Sequence, residues 1–176
     1  MFANLLSALR FPLALILVPL VWNEHWAWAL ALMMFAIATD IIDGYVARRF
    51  AKPTPVGGLL DHGSDAFLVV CGLGTLAAQS KIPILLPILV TLAFTQYLLD
   101  SGAIRKAGLR ASRLGKINGQ LYIGFLVVLI ALNLFKAHDQ VAPIVLGVAW
   151  ALVGSTLLSM IDRARHRFQA ERSPNN

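Results

Sequence analysis

Four aspartates, Asp40, Asp43, Asp61 and Asp65, are the residues of this 176-residue chain whose type and spacing could do chemistry. Asp40 and Asp43 are three apart and Asp61 and Asp65 four apart, so on helices each pair shares a face. Between the pairs, Pro53, Pro55, Gly57 and Gly58 supply a reversal that sets the two helices antiparallel, with the carboxylates facing one another. Like charges so placed repel, and in a low-dielectric setting the cluster needs divalent cations or protons to neutralise it. An all-oxygen donor set favours Mg²⁺, Mn²⁺ or Ca²⁺ over zinc. The bland alternative, solvated acids at helix ends, is disfavoured by the cost of ionisable groups at membrane depth. His62 lies between the aspartates and is expected to support them rather than to ligate a metal.

The elements that must position these acids are membrane helices. The chain is 58% hydrophobic and 14% charged, against about 25% charged in an ordinary soluble domain, which excludes a soluble enzyme. Six blocks approach the roughly 20 apolar residues that span a bilayer: 5–22, 25–42, 63–79, 82–99, 119–135 and 141–161. Several are short unless the helix runs on into charged sequence at 40–48 and 57–65, so helices projecting beyond the membrane on one side are expected. Pro12 and Pro19 are expected to bend the first helix. Gly72, Gly74, Gly124, Gly147 and Gly154 suit close helix contacts, or are simply membrane-helix composition. Cys71 has no partner for a disulfide or a cysteine metal site.

With the N-terminus inside, all of the 15 Lys and Arg except Lys81 and Lys136 fall in cytoplasmic loops or termini. That bias requires an even number of spans and puts both termini in the cytoplasm. The fold expected is therefore all-α and integral to the membrane, with six transmembrane helices. It forms one catalytic domain, 1–168, with a frayed polar tail, 169–176. The pI near 10.0 is read as topology and not as a nucleic-acid signal. Trp22, Trp26 and Trp28 flank the outer loop, where an aromatic belt belongs.

The stretch Asp40-x2-Asp43-Gly44-x2-Ala47-Arg48-x8-Gly57-x3-Asp61-x3-Asp65 resembles, at every fixed position, the signature of the CDP-alcohol phosphatidyltransferase family. It also falls where that family has it, across the second and third of six helices. More weakly, Asn4-Leu5-Leu6-Ser7-x2-Arg10 is similar to the opening of phosphatidylglycerolphosphate-synthase-like members, and Gly115-Lys116-x-Asn118 to their Gly-Lys-x-Lys segment.

The resemblance implies transfer of a phosphatidyl group from a CDP-lipid such as CDP-diacylglycerol to the hydroxyl of an alcohol, releasing CMP. It makes Asp40, Asp43, Asp61 and Asp65 ligands of two Mg²⁺ or Mn²⁺ ions, with Asp65 also the general base for the acceptor hydroxyl. Paired metals suit the chemistry, since a leaving diphosphate needs its charge neutralised. Gly44 and Ala47, one turn apart, leave a bare face that matches the family's cytidine pocket. Arg48 suits a phosphate oxygen through its bidentate fork. Asn4, Ser7 and Arg10 recur at three-residue spacing toward the donor's diphosphate; snorkelling is the other reading of Arg10. Asp40 and Gly57 complete the CDP-binding set.

The acceptor is expected to meet Arg105, Arg110 and Lys116, in the basic loop before the fifth helix. Arg163, Arg165 and Arg167 follow the sixth on the same side. Here the chain departs from the glycerol-phosphate-using members. Their Ala-Arg-Glu is Leu99-Asp100-Ser101, the loop is shorter, and the second lysine is Asn118. These differences argue against glycerol 3-phosphate and leave serine, an inositol phosphate, another polyol phosphate or a lipid alcohol open. The competing functions are a divalent-cation transporter or channel, against which stands the lack of acids in the apolar spans of the second half, and an inactive family member serving as a binding subunit. A homodimer in a bacterial inner membrane, with its active site facing the cytoplasm and no nucleic-acid partner, completes the expectation.

Overall fold

The computed structural model describes the backbone at 2–50, 55–100 and 113–172, and side chains at 8–42, 44, 57–58, 60–99 and 114–165. Six α-helices carry these residues: α1 (Phe2–Trp22), α2 (Trp26–Phe50), α3 (Pro55–Ala78), α4 (Leu85–Asp100), α5 (Arg113–Leu134) and α6 (Ala142–Arg172). As expected, α2 and α3 continue past their apolar blocks into the aspartate motif. Helix α3 opens on Pro55, whose missing N–H costs nothing in a first turn. Helix α1 runs unbroken through Pro12 and Pro19. Helix α6 continues past residue 168 to Arg172.

The hairpins α1–α2, α3–α4 and α5–α6 turn at one end of the bundle in the same way. In each, a non-glycine residue takes a left-handed backbone: Glu24 (φ 59°), Ser80 (φ 60°) and Lys136 (φ 55°). The next N–H then closes on a carbonyl one turn inside the helix, His25 to Leu20 at 2.8 Å, Lys81 to Leu76 at 3.0 Å and Ala137 to Leu132 at 2.8 Å. This is the Schellman closure, which satisfies carbonyls that a helix end leaves unpaired. Near these turns Lys81 Nζ donates to Asn133 Oδ1 at 2.8 Å and lies 5.4 Å from the Trp26 ring centroid.

Helix α3 packs against α1, α4 and α5, while α1 meets α2, α2 meets α5, α5 meets α6 and α6 meets α4. The outer contacts thus close a ring, with α3 and α5 also touching across it. Its interior is apolar toward the turns: Leu17, Val21, Met33, Leu73, Leu76, Leu86, Leu126, Leu129 and Ile130 are fully buried. Among the described residues no Asp or Glu is fully buried, which gives a cation no ladder of acids to follow through the interior and weighs against the transporter reading. The outward faces carry exposed large apolar residues, among them Leu15, Trp28, Ile41, Leu92, Val128 and Ile144. Faces of this kind are stable where hydrocarbon is the solvent. Among the described residues, 114–134 and 139–165 are long and apolar enough to cross a membrane, and shorter apolar helices cover 8–22, 26–42 and 85–99.

Of the five glycines expected at close contacts, one is there. A Cβ on Gly72 would stand 2.6 and 2.9 Å from the two δ-carbons of Leu126 and 3.1 Å from Leu17 Cδ2, whereas Gly74, Gly124, Gly147 and Gly154 have nothing within 4 Å of theirs. Leu126 and Leu17 are fully buried, so relief of the clash requires their side chains to shift within the core. Gly72→Ala is therefore expected to cost about 1–3 kcal/mol through overpacking. The thermal midpoint of the detergent-solubilised protein should fall for this variant and stay near wild type for Gly74→Ala; equal midpoints would show that the contact is slack.

Candidate active site

Each of the first three helices carries one inward stripe that changes from apolar to polar at the same level. On α1 the stripe is Val21, Leu17, Ala14 and then Arg10; on α2 it is Ala29, Met33, Ala36 and then Asp40. On α3 it is Leu76, Gly72, Leu68 and then Asp65 and Asp61. The steps of three and four residues keep every member on one face. The packing that buries the lower members therefore delivers a guanidinium and three carboxylates to one place, roughly 20 Å from the turns at about 1.5 Å per residue.

Arg10 is 1% exposed, and a charge so buried must be paired. Its Nη2 donates to Asp40 Oδ1. Its Nη1 donates to Asp61 Oδ1 at 2.9 Å and lies 3.0 Å from Asp65 Oδ1. Ser64, fully buried, sits 3.5 Å from Nη1 and donates its own hydroxyl to the Asp61 carbonyl at 2.9 Å. The carboxylates are more open, at 47% for Asp40, 38% for Asp61 and 27% for Asp65. The guanidinium thus forms a floor beneath acids that a ligand can reach from outside. One carboxylate oxygen from each of Asp40, Asp61 and Asp65 lies within 4.8 Å of the others. Hard oxygen donors at that separation fit Mg²⁺ or Mn²⁺.

The other expected site residues are placed unevenly. Gly44 on α2 and Gly57 on α3 are partly buried, and Lys116 is exposed on α5. The side chains of Asn4, Ser7, Asp43, Ala47 and Arg48 lie outside the described residues, although their helices are described, and Arg105 and Arg110 lie outside altogether. His62 is exposed on α3 and stands outside the acidic trio, its ring edge-on to Tyr97 with centroids 5.8 Å apart. Asn118 is 2% exposed and accepts from Ser155 Oγ at 2.7 Å. It belongs to the α5–α6 contact, as does the 2.6 Å hydrogen bond between Tyr122 and Thr156.

Two features of the site did not emerge from sequence. Arg10 was expected to face the donor's diphosphate or to snorkel, and its direct pairing with Asp40, Asp61 and Asp65 was not foreseen; its place on the inward stripe was the available signal. Tyr97, 6% exposed on α4, lies against both His62 and the Arg163 guanidinium, the latter 5.2 Å from the ring centroid. It brings a cation of α6 toward the acid end of α3, through a contact that no spacing within either helix encodes.

Comparison with known proteins agrees with this geometry. The family model described as CDP-alcohol phosphatidyltransferase matches residues 1–157. A Pseudomonas fluorescens protein named CDP-diacylglycerol–glycerol-3-phosphate 3-phosphatidyltransferase is 27% identical over 175 residues, covering 92% of this chain and 87% of the relative. A Cereibacter sphaeroides protein of the same name is 32% identical over 115 residues, 63% of this chain and 52% of the relative. A Schizosaccharomyces pombe cardiolipin synthase (CMP-forming)/mitochondrial hydrolase fusion protein is 31% identical over 87 residues, 49% of this chain and 15% of the relative.

Proposed function

Because the chain belongs to the CDP-alcohol phosphatidyltransferase family and is an enzyme that moves a phosphatidyl group from CDP-diacylglycerol to an alcohol, we propose that its acceptor is a phosphorylated polyol, glycerol 3-phosphate first among them. The observation that carries the site assignment is the acidic trio of Asp40, Asp61 and Asp65 opening above the buried Arg10. With Asp43 these residues would hold two Mg²⁺ or Mn²⁺ ions. When bound, such ions would neutralise the donor's diphosphate and stabilise the departing CMP. Asp65, the least exposed of the trio, takes the proton from the acceptor hydroxyl, and the acceptor oxygen then attacks the phosphorus that CMP leaves.

Gly44 and Ala47 give the cytosine a face without side chains. Asn4, Ser7 and Arg48 bind the diphosphate, and Gly57 lets the α3 backbone come close. Lys116, Arg105 and Arg110 meet the acceptor's phosphate through charge-assisted hydrogen bonds. The relatives' names support glycerol 3-phosphate. The departure at Asn118 carries little weight against it, because Asn118 is buried in the α5–α6 contact, where its Oδ1 accepts from Ser155 Oγ, and there it serves packing rather than charge. The apolar outer faces and the Lys/Arg bias support six spans with both termini and the active site on the cytoplasmic side of a bacterial inner membrane. A homodimer within that membrane fits the same outer faces.

The test is CMP release from CDP-diacylglycerol by the purified protein with Mg²⁺ or Mn²⁺, over a panel of glycerol 3-phosphate, glycerol, serine, an inositol phosphate and phosphatidylglycerol. Glycerol 3-phosphate is expected to exceed glycerol by about ten- to a hundredfold, the worth of a site built to pair a phosphate. Equal rates with glycerol would exclude a phosphate-reading site. Release with phosphatidylglycerol alone would move the acceptor to a lipid.

A further inference from the structure

We propose that Arg10 is a built-in competitor of the metal, and that loading the acids with divalent cations releases its guanidinium upward to the donor's diphosphate. The inference rests on the reading of Asp40, Asp61 and Asp65 as metal ligands, and it concerns what the chain must do to admit the metal. The guanidinium takes one oxygen from each of these three carboxylates, the same three groups whose oxygens converge closely enough to hold an ion. A divalent ion on those oxygens would stand a few Å from a fixed positive charge, where the low dielectric gives water little power to screen the repulsion. Either the ion is repelled or the arginine moves.

The surroundings of Arg10 dictate the direction. Below it the same face of α1 continues into Ala14 and Leu17, both fully buried. Retreat that way would bury a bare charge in hydrocarbon. Above it stand the more exposed carboxylates, the side from which a ligand can reach the acids. A diphosphate there offers the guanidinium the bidentate partner that it gives up on the acids. Metal and donor binding are thereby coupled: each ligand favours the Arg10 position that the other requires, and by linkage the coupling runs equally both ways. Until metal binds, the guanidinium also holds α2 and α3 together across their acids, which would otherwise repel.

The measurement is Mn²⁺ affinity, read by the electron paramagnetic resonance signal of free Mn²⁺ over full-length protein in detergent, with thermal midpoints taken in EDTA and in Mn²⁺. Removing the competitor in Arg10→Ala is expected to tighten Mn²⁺ about tenfold or more in the absence of nucleotide, with Arg10→Lys in between. The same variant should melt lower than wild type in EDTA and regain most of the difference in Mn²⁺, because ligand binding to the folded form restores stability. Folding only when Mn²⁺ is present would be the extreme form of that result and equally supportive. Weaker or unchanged Mn²⁺ affinity in both variants would overturn the inference while leaving the acids as ligands. If wild type binds no Mn²⁺, and Asp61→Asn therefore changes nothing, the metal reading itself fails and the inference falls with it.

Discussion

Asp65→Asn should lower acceptor-dependent CMP release by about a hundred- to ten-thousandfold, the range that a positioned general base contributes, while the protein still folds and still binds Mn²⁺. The asparagine keeps the size of the carboxylate and an oxygen to accept from Arg10 Nη1, which lies 3.0 Å from Oδ1, so the floor of the site survives. What is lost is the capacity to accept a proton from the acceptor. Asp65 stands one helical turn beyond Asp61 on the same face of α3, within reach of a hydroxyl approaching the trio from its open side. Activity that recovers at high Mn²⁺ would make Asp65 principally a ligand. Activity near wild type at all concentrations would remove it from the chemistry.

Chelation should have an effect at least as large. Excess EDTA is expected to reduce CMP release by at least about a thousandfold, the equivalent of roughly 4 kcal/mol of barrier. Adding back Mg²⁺ or Mn²⁺ should restore it, and Zn²⁺ should not, since the converging donors are carboxylate oxygens alone. Asp61→Asn should shift the Mn²⁺ concentration needed for half-activity upward, because the trio loses one of its charged donors. Full activity in EDTA would mean that the acids act without metal, with Arg10 as a counter-cation.

The aspartate motif was legible because its chemistry is written at fixed offsets within two helices. Spacing alone put Asp61 and Asp65 on one face, and the prolines and glycines between the pairs announced the turn of the chain. The extension of α2 and α3 beyond their apolar blocks was legible for a related reason: helix continues wherever backbone pairing is kept, whatever side chain it carries. Arg10 was harder, because its partners come from α2 and α3, 30 residues or more away in sequence. Tyr97 was invisible, since an aromatic in an apolar block looks like any other core residue until α3 and α6 are set on either side of it. The glycines misled in the opposite sense. Small residues permit close approach, but of Gly72, Gly74, Gly124, Gly147 and Gly154 it is Gly72 alone whose neighbours take up the permission.

The three tight turns and the fully buried plug of Leu73, Leu76, Leu126, Leu129 and Ile130 above them fill the bundle at one end, and the acids lie toward the other. In the orientation proposed here, reactants meet the acids and products leave them on that side of the membrane. Each headgroup the enzyme makes is therefore born in the leaflet that supplied its donor. Turnover by turnover, synthesis in that orientation enriches one face of the bilayer, and the fully buried leucines between the acids and the turns stand in the way of a headgroup crossing to the other. A membrane growing by this reaction depends on a separate route for lipid to change sides, and its asymmetry follows from a seam of leucines as much as from the acids that do the chemistry.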